Sequence, residues 1–174
     1  MTDIRTLQQS FDSGDLLRPG SEPGLTELMA NVAQLIGTNP TGAIQGALDI
    51  GSTADHIIFV LADGLGSETL DQYAPAGGWL KSHLKQDLLT VFPSTTPVGI
   101  TTVASAVPPL AHGINGWWVW LNAVSAPVTV FHNEFAETRQ SVSESYEAEQ
   151  ELYSWKSIFE SATRNISYLM PSDI

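Results

Sequence analysis

The spacing of apolar residues predicts a helix early in the chain. Its apolar positions recur every three or four residues, which is typical of an amphipathic helix; they are Leu25, Leu28, Met29, Val32, Leu35 and Ile36. Gly37 ends the pattern, and Asn39-Pro40 prevents the helix from continuing. Further helices are predicted from Ser67 onward and over residues 79–84, 97–106 and 152–159.

Residues 56–62 (His-Ile-Ile-Phe-Val-Leu-Ala) give the clearest strand prediction. The run is almost entirely apolar rather than alternating, which is typical of a strand covered on both faces. Other strands are predicted over residues 88–92, 117–121, 128–131 and 166–170. Strands that alternate with helices predict an α/β fold, with a mainly parallel sheet flanked by helices. Residues 1–21 are interpreted as a polar N-terminal arm, and residues 136–150 as an exposed acidic loop.

The composition fits one ordinary domain, with 174 residues of which 43% are hydrophobic and 15% charged. Seven basic and nineteen acidic residues give a net charge of −12, which argues against a nucleic-acid polymer as partner. A small phosphate ester is still compatible with this negative net charge as a substrate, because a bound cation can neutralise the charge of the ester. The lack of cysteine excludes disulfides, thiolate zinc sites and a cysteine nucleophile. With neither a signal peptide nor a membrane span in the pattern, we predict a cytoplasmic location.

Asp63 is the first candidate for chemistry, because it directly follows the apolar run. Ligands bind at the carboxyl ends of strands in α/β sheets, and a carboxylate there is a suitable ligand for Zn²⁺, Mg²⁺ or Mn²⁺. Gly64 and Gly66 would allow a sharp backbone turn. Taken alone, however, Asp63 fits an ordinary Asp-Gly turn better than a metal site.

The second candidate is the run Val91-Phe92-Pro93-Ser94-Thr95-Thr96-Pro97, where a strand ends and a helix begins. Free N–H groups at a helix start can hold a phosphate oxygen. Taken alone, the hydroxyls are better explained as helix caps. A carboxylate and a hydroxyl that follow two strands could nevertheless meet at one sheet edge. A metal held there by Asp63 would activate a threonine hydroxyl as a nucleophile.

Three motifs together resemble a known family: Asp63-Gly64-Leu65-Gly66, then Phe92-Pro93-Ser94-Thr95-Thr96, and later His112-Gly113-Ile114. Their order, spacing and strand context are similar to those of the type I phosphodiesterase/nucleotide pyrophosphatase family, within the alkaline phosphatase superfamily. The resemblance covers about residues 22–174. It implies that these residues form the N-terminal part of an alkaline phosphatase-like α/β catalytic domain.

The resemblance implies a metal-dependent hydrolase of phosphodiester or pyrophosphate bonds. It places metal binding on Asp63, and both metal binding and nucleophilic attack on Thr96, with Thr95 as the adjacent alternative. Two divalent metal ions, zinc by preference, would share the charge on the phosphate oxygens. Thr96 would form a covalent intermediate that water then hydrolyses, and the substrate would be a small phosphate ester.

His112 and Trp117 receive different interpretations. The His-Gly pair forms a turn in this family, so a structural role is favoured for His112 over a catalytic one. Trp117 stands where eukaryotic-type members carry a phosphate-holding asparagine, and the run 116–120 resembles a bacterial branch instead. Trp117 is a candidate substrate-binding residue that could stack on a ring. Core or dimer packing is the favoured explanation for the tryptophan run.

The family's other metal ligands are an Asp-x-x-x-His motif, an Asp-His pair and a further histidine, all in the C-terminal half and not found in this chain. Asp55-His56 cannot substitute for that pair, because it precedes the predicted strand that Asp63 follows and lies about 20 Å away at about 3.3 Å per residue. The chain is therefore expected to be an incomplete N-terminal portion, inactive alone and prone to form homo-oligomers through an exposed sheet edge.

Two alternative functions stay open. One is a phosphomonoesterase or phosphomutase of the same superfamily. The other is a non-catalytic α/β module for binding or dimerisation, which would need no further metal ligands.

Overall fold

The computed structural model describes residues 4–17, 23–41, 48, 50–51, 54–142 and 145–169. Over these ranges the chain is a mixed α/β protein with seven helices and one small sheet. The helices are α1 (Ile4–Asp12), α2 (Leu25–Leu35), α3 (Ser67–Tyr73), α4 (Trp79–His83), α5 (Thr96–Ser105), α6 (Pro109–His112) and α7 (Tyr146–Leu152). The strands are β1 (Trp118–Leu121), β2 (Ala126–Thr129) and β3 (Glu134–Phe135).

The sheet is antiparallel, with the strand order β1-β2-β3. Along β1, Val119 and Leu121 are buried while Trp118 and Trp120 are exposed. This alternation is typical of a sheet with one face against a core and one in solvent. Helix α7 holds the β1–β2 turn, because the Glu151 carboxylate accepts hydrogen bonds from the backbone N–H groups of Ala123 and Asn122. These hydrogen bonds lower the pKa of Glu151.

The predicted mainly parallel sheet is not formed within the described ranges. Residues 56–62 pair with no strand there, and residues 88–92 contribute only one isolated parallel bridge, between Leu89 and Gly24. Residues 166–169 are also unpaired, and Met170 lies outside the described residues. The strands predicted at 117–121 and 128–131 correspond to β1 and β2, but their pairing is antiparallel. The apolar run shows only that these residues favour burial. A sheet strand forms only where the backbone of a neighbouring strand can pair with it.

The predicted helices agree with the structure at α2, α3, α4 and α5. The predicted helix at 152–159 is wrong, since α7 ends at Leu152, although Ile158 is buried in the turn that follows. The acidic stretch 136–150 is not a loop throughout, because it contains most of α7. Ala148 and Leu152 lie on the buried side of α7 at a spacing of four residues. Helix α1 within the predicted arm has no buried residue, and the predicted boundary at residues 21 and 22 lies outside the described ranges.

Helix α5 is held by two apolar clusters. Val98 belongs to a cluster formed with the sheet and α7, while Val103 belongs to a second cluster formed with α2 and Ile158. Contacts on both sides restrict movement of this helix. The first turn of α5, which carries Thr96, is therefore fixed against the best-packed part of the chain.

The region before α5 is packed much less closely. No residue from 54 to 90 is buried, although this region contains the apolar run and helices α3 and α4. In the part of the chain that the structure describes, no helix has the length and apolar character needed to cross a membrane.

Candidate functional site

Asp63 lies in a tight turn between the apolar run and helix α3. Gly64 has a φ of +72°, a left-handed conformation that favours glycine, as the motif predicts. Gly66 precedes α3 with a φ of −90°, so the turn does not require glycine there. The Asp63 side chain is exposed and accessible to a ligand.

Thr96 is the first residue of α5, and Pro97 follows it within the first turn, as predicted. Thr95 is the N-cap residue, but its side chain makes no capping hydrogen bond. The Thr95 hydroxyl oxygen is instead buried and has no hydrogen-bond partner. Helix capping therefore does not explain the Thr95 hydroxyl, whose oxygen is closed to solvent.

The structure brings Asp63 and Thr96 together, although 33 residues separate them. Thr96 Oγ1 donates a hydrogen bond to Asp63 Oδ2 over 3.2 Å. This distance is longer than the about 2.5–3.0 Å usual for an O–H···O hydrogen bond. The contact joins the turn after the apolar run to the start of α5, which is the meeting of the two motifs that the sequence predicts.

Backbone donors lie next to this pair. The N–H groups of Thr96 and Val98 donate to no partner in the described ranges, since the first helical bond runs from Gly99 N–H to the Thr95 carbonyl. Unpaired N–H groups at the start of a ten-residue helix favour an anion there. Val98 is fully buried, whereas Thr96 is partly exposed, so of the two the Thr96 N–H is the candidate donor to a phosphate oxygen beside the hydroxyl and the carboxylate.

The spacing of the two side-chain oxygens fits a shared divalent cation. Two oxygen ligands at 2.0–2.2 Å from a tetrahedral zinc ion are about 3.3–3.6 Å apart, close to the 3.2 Å between Thr96 Oγ1 and Asp63 Oδ2. Asp63 and Thr96 would fill two of the four positions. The described residues contain no group of three or more His, Cys, Asp or Glu side chains that could complete this site or form a second one.

Trp117 packs against a neighbouring aromatic side chain and stays partly exposed. Its ring contacts Phe131 edge to face, with the centroids 5.5 Å apart, and the side chain is 40% exposed. Elsewhere in the chain, the His83 ring stacks on Trp79, and the backbone carbonyl of Asp55 accepts a hydrogen bond from Arg164. Two cavities of about 310 and 330 Å³ are lined by neither Asp63 nor Thr96.

His112 has a structural environment. Its imidazole is buried, with Nδ1 accepting from the Ile114 N–H over 3.1 Å. The proton must then reside on Nε2, which lies 3.1 Å from Thr102 Oγ1, and that hydroxyl donates to the Val98 carbonyl. Thr102 is a partner that the sequence pattern does not predict, because residues ten apart across a turn share no periodicity. The contact ties the His-Gly turn to α5.

Burial lowers the pKa of His112 from its usual 6.5 to about 4. Between these values the unfolded chain binds a proton that the folded chain excludes. The free energy of unfolding is therefore expected to fall as the pH drops from 6.5 to 4, by up to about 3 kcal/mol from this residue. Urea unfolding followed by circular dichroism at several pH values measures this loss.

Replacement of His112 by glutamine should flatten the pH dependence over this interval, since glutamine does not titrate. The exposed His132 offers a matched control, and His132→Gln should keep the wild-type slope. Equal slopes for His112→Gln and the wild type between pH 6.5 and 5 would contradict the assignment.

Comparison with known proteins returns no match for this chain: no protein-family model, no curated protein and no solved structure matches it. The family resemblance therefore rests on the motifs alone and stays a prediction.

Proposed function

We propose that this chain carries the nucleophile and one metal ligand of a metal-dependent phosphodiesterase of the alkaline phosphatase superfamily. The observation that supports the proposal most is the 3.2 Å contact between Thr96 Oγ1 and Asp63 Oδ2.

In the proposed reaction, Thr96 Oγ1 attacks the phosphorus atom in line with the leaving group. The P–O bond to the leaving alcohol breaks as the bond to threonine forms, and a water molecule then displaces the threonine oxygen. A divalent cation bound by Asp63 and Thr96 would favour the deprotonated hydroxyl and offset the charge of the phosphate. The N–H group of Thr96 would hold a phosphate oxygen.

Thr96 is preferred over Thr95 as the nucleophile because its hydroxyl is the more accessible of the two. The Thr96 hydroxyl faces Asp63, whereas the Thr95 hydroxyl oxygen is buried and unpaired. A small phosphate ester is the proposed substrate, with Trp117 as a candidate contact to its non-phosphate part. The complete site requires ligands beyond these two, because zinc takes four.

The experiment that tests this function is hydrolysis of bis-p-nitrophenyl phosphate by the complete gene product with added Zn²⁺. Zinc-dependent release of p-nitrophenolate supports a phosphodiesterase. Faster turnover of p-nitrophenyl phosphate than of the diester would favour the phosphomonoesterase or phosphomutase alternative instead.

A second candidate function is a non-catalytic α/β module for binding or dimerisation. The observation that favours it is the exposure of residues 54–90, none of which is buried despite the apolar run. Absence of hydrolysis of both esters, together with stable self-association, would favour this candidate.

A further inference from the structure

Asn115 and Gly116 form the connection between the His-Gly turn and β1. Asn115 is exposed and Gly116 is partly exposed. The residues on either side are held in place, since Ile114 is buried and the Trp117 carbonyl accepts a hydrogen bond from the Val130 N–H over 3.1 Å. The Asn-Gly pair is therefore an exposed link between two fixed points of the fold.

The polar groups of this link are free to react with each other. Within the described ranges, neither the Asn115 side-chain amide nor the Gly116 N–H has a hydrogen-bond partner. No contact of the fold has to break before the Gly116 nitrogen approaches Asn115 Cγ. Glycine has no Cβ atom, so its nitrogen is unhindered and its backbone rotates easily.

The other asparagines lack this combination. Asn31 and Asn122 each donate a side-chain hydrogen bond, and the side-chain oxygen of Asn133 is buried. Asn39 precedes Pro40, whose nitrogen carries no hydrogen. These four side chains are either held by the fold or followed by a residue that cannot attack them.

Asn165 is the best comparison for Asn115 within the chain. It is also exposed, but Ile166 follows it, and a branched side chain crowds the backbone nitrogen that would have to attack. Of the six asparagines in the sequence, only Asn115 is followed by glycine.

We propose that Asn115 is a modification site, at which the folded chain deamidates without an enzyme to aspartyl and isoaspartyl forms. The Gly116 nitrogen loses its proton to a base in solution and attacks Asn115 Cγ. The new C–N bond closes a cyclic imide, and the side-chain nitrogen leaves as ammonia after taking up a proton.

Water then opens the imide at one of its two carbonyl groups. Cleavage of the bond between Asn115 Cγ and the Gly116 nitrogen gives aspartate. Cleavage at the backbone carbonyl gives isoaspartate, in which the chain runs through Cγ. Either product adds one negative charge to a chain whose net charge is already −12.

Peptide mass spectrometry of the full chain, incubated folded in buffer made with heavy-oxygen water, tests the proposal. The peptide that contains Asn115 should convert to two separable products, each with one heavy oxygen atom. Conversion should be at least about tenfold faster than at Asn165, which corresponds to about 1.4 kcal/mol in activation free energy. The rate should rise from neutral to alkaline pH, because the Gly116 nitrogen must lose its proton.

Gly116→Ala is the control for attack by the following nitrogen. A Cβ atom there would meet only the Trp118 carbonyl oxygen, at an ordinary contact distance of 3.7 Å, so the variant should fold, which circular dichroism verifies. Its conversion at Asn115 should be slower by about tenfold.

Four results would overturn the proposal: an intact Asn115 in the folded chain while the urea-unfolded chain converts, equal rates at Asn115 and Asn165, equal rates in Gly116→Ala and the wild type, or products without heavy oxygen. Asp63 and Thr96 are unchanged in these experiments, so the outcome is independent of the proposed phosphodiesterase activity.

Discussion

Replacement of Thr96 by alanine is expected to reduce zinc-dependent hydrolysis of bis-p-nitrophenyl phosphate by a factor on the order of 10³ or more, measured on the complete gene product. Alanine removes the oxygen that would attack phosphorus, and this oxygen is also one of the two candidate metal ligands. Thr96 is partly exposed at the first position of α5, so the variant should unfold at nearly the wild-type temperature.

Two variants make this result specific. Thr96→Ser keeps a hydroxyl and should retain part of the activity, because the attacking oxygen is preserved. Thr95→Ala changes the neighbouring residue, whose hydroxyl oxygen is buried, and should retain most of the activity. If Thr95→Ala loses activity and Thr96→Ala keeps it, Thr95 is the nucleophile. If both variants keep their activity, neither Thr95 nor Thr96 is the nucleophile.

Replacement of Gly37 by alanine is expected to lower the free energy of unfolding by about 2–5 kcal/mol. Gly37 has a φ of +83°, and a left-handed conformation costs a residue with a Cβ atom about 1–2 kcal/mol. The new Cβ would also lie 1.9 Å from Thr163 Oγ1, and overpacking adds about 1–3 kcal/mol. Movement of Thr163 would disturb its N–H bond to the Ile36 carbonyl. Urea unfolding measures the loss.

Gly113→Ala separates these two causes. Gly113 has a similar φ of +79°, but a Cβ atom there would meet nothing within 4 Å. Replacing Gly113 should therefore lower the free energy of unfolding only by the cost of the left-handed conformation. Combining Thr163→Ala with Gly37→Ala should restore part of the stability that Gly37→Ala loses. If Gly37→Ala costs no more than Gly113→Ala, the contact with Thr163 does not determine the effect.

The sequence predicted helices more reliably than sheet pairing. The stripe of α2 and the Pro97 signal of α5 are local, and both helices form where predicted. The apolar run at 56–62 indicates a preference for burial, but a strand also needs neighbours whose backbones can pair with it. Helix α7 was missed because its charged residues conceal a short buried side at Ala148 and Leu152.

The central pair of the candidate site was predictable, while its surroundings were not. Asp63 and Thr96 each follow a predicted strand, which suggested a common edge, and they lie 3.2 Å apart even though those strands do not pair. Their contact therefore does not depend on pairing between those strands. The contact between His112 and Thr102 depends on the path of a turn, which residue spacing does not specify.

The most direct test of the central claim is a search for the covalent intermediate on Thr96. The complete gene product is mixed with Zn²⁺ and bis-p-nitrophenyl phosphate, quenched in acid within the first turnover and analysed by peptide mass spectrometry. Attack by Thr96 expels one p-nitrophenolate and predicts a single p-nitrophenyl phosphate group on that threonine, absent from Thr96→Ala. Turnover with the group on another residue, or with no modified residue in the burst phase, would contradict Thr96 as the nucleophile.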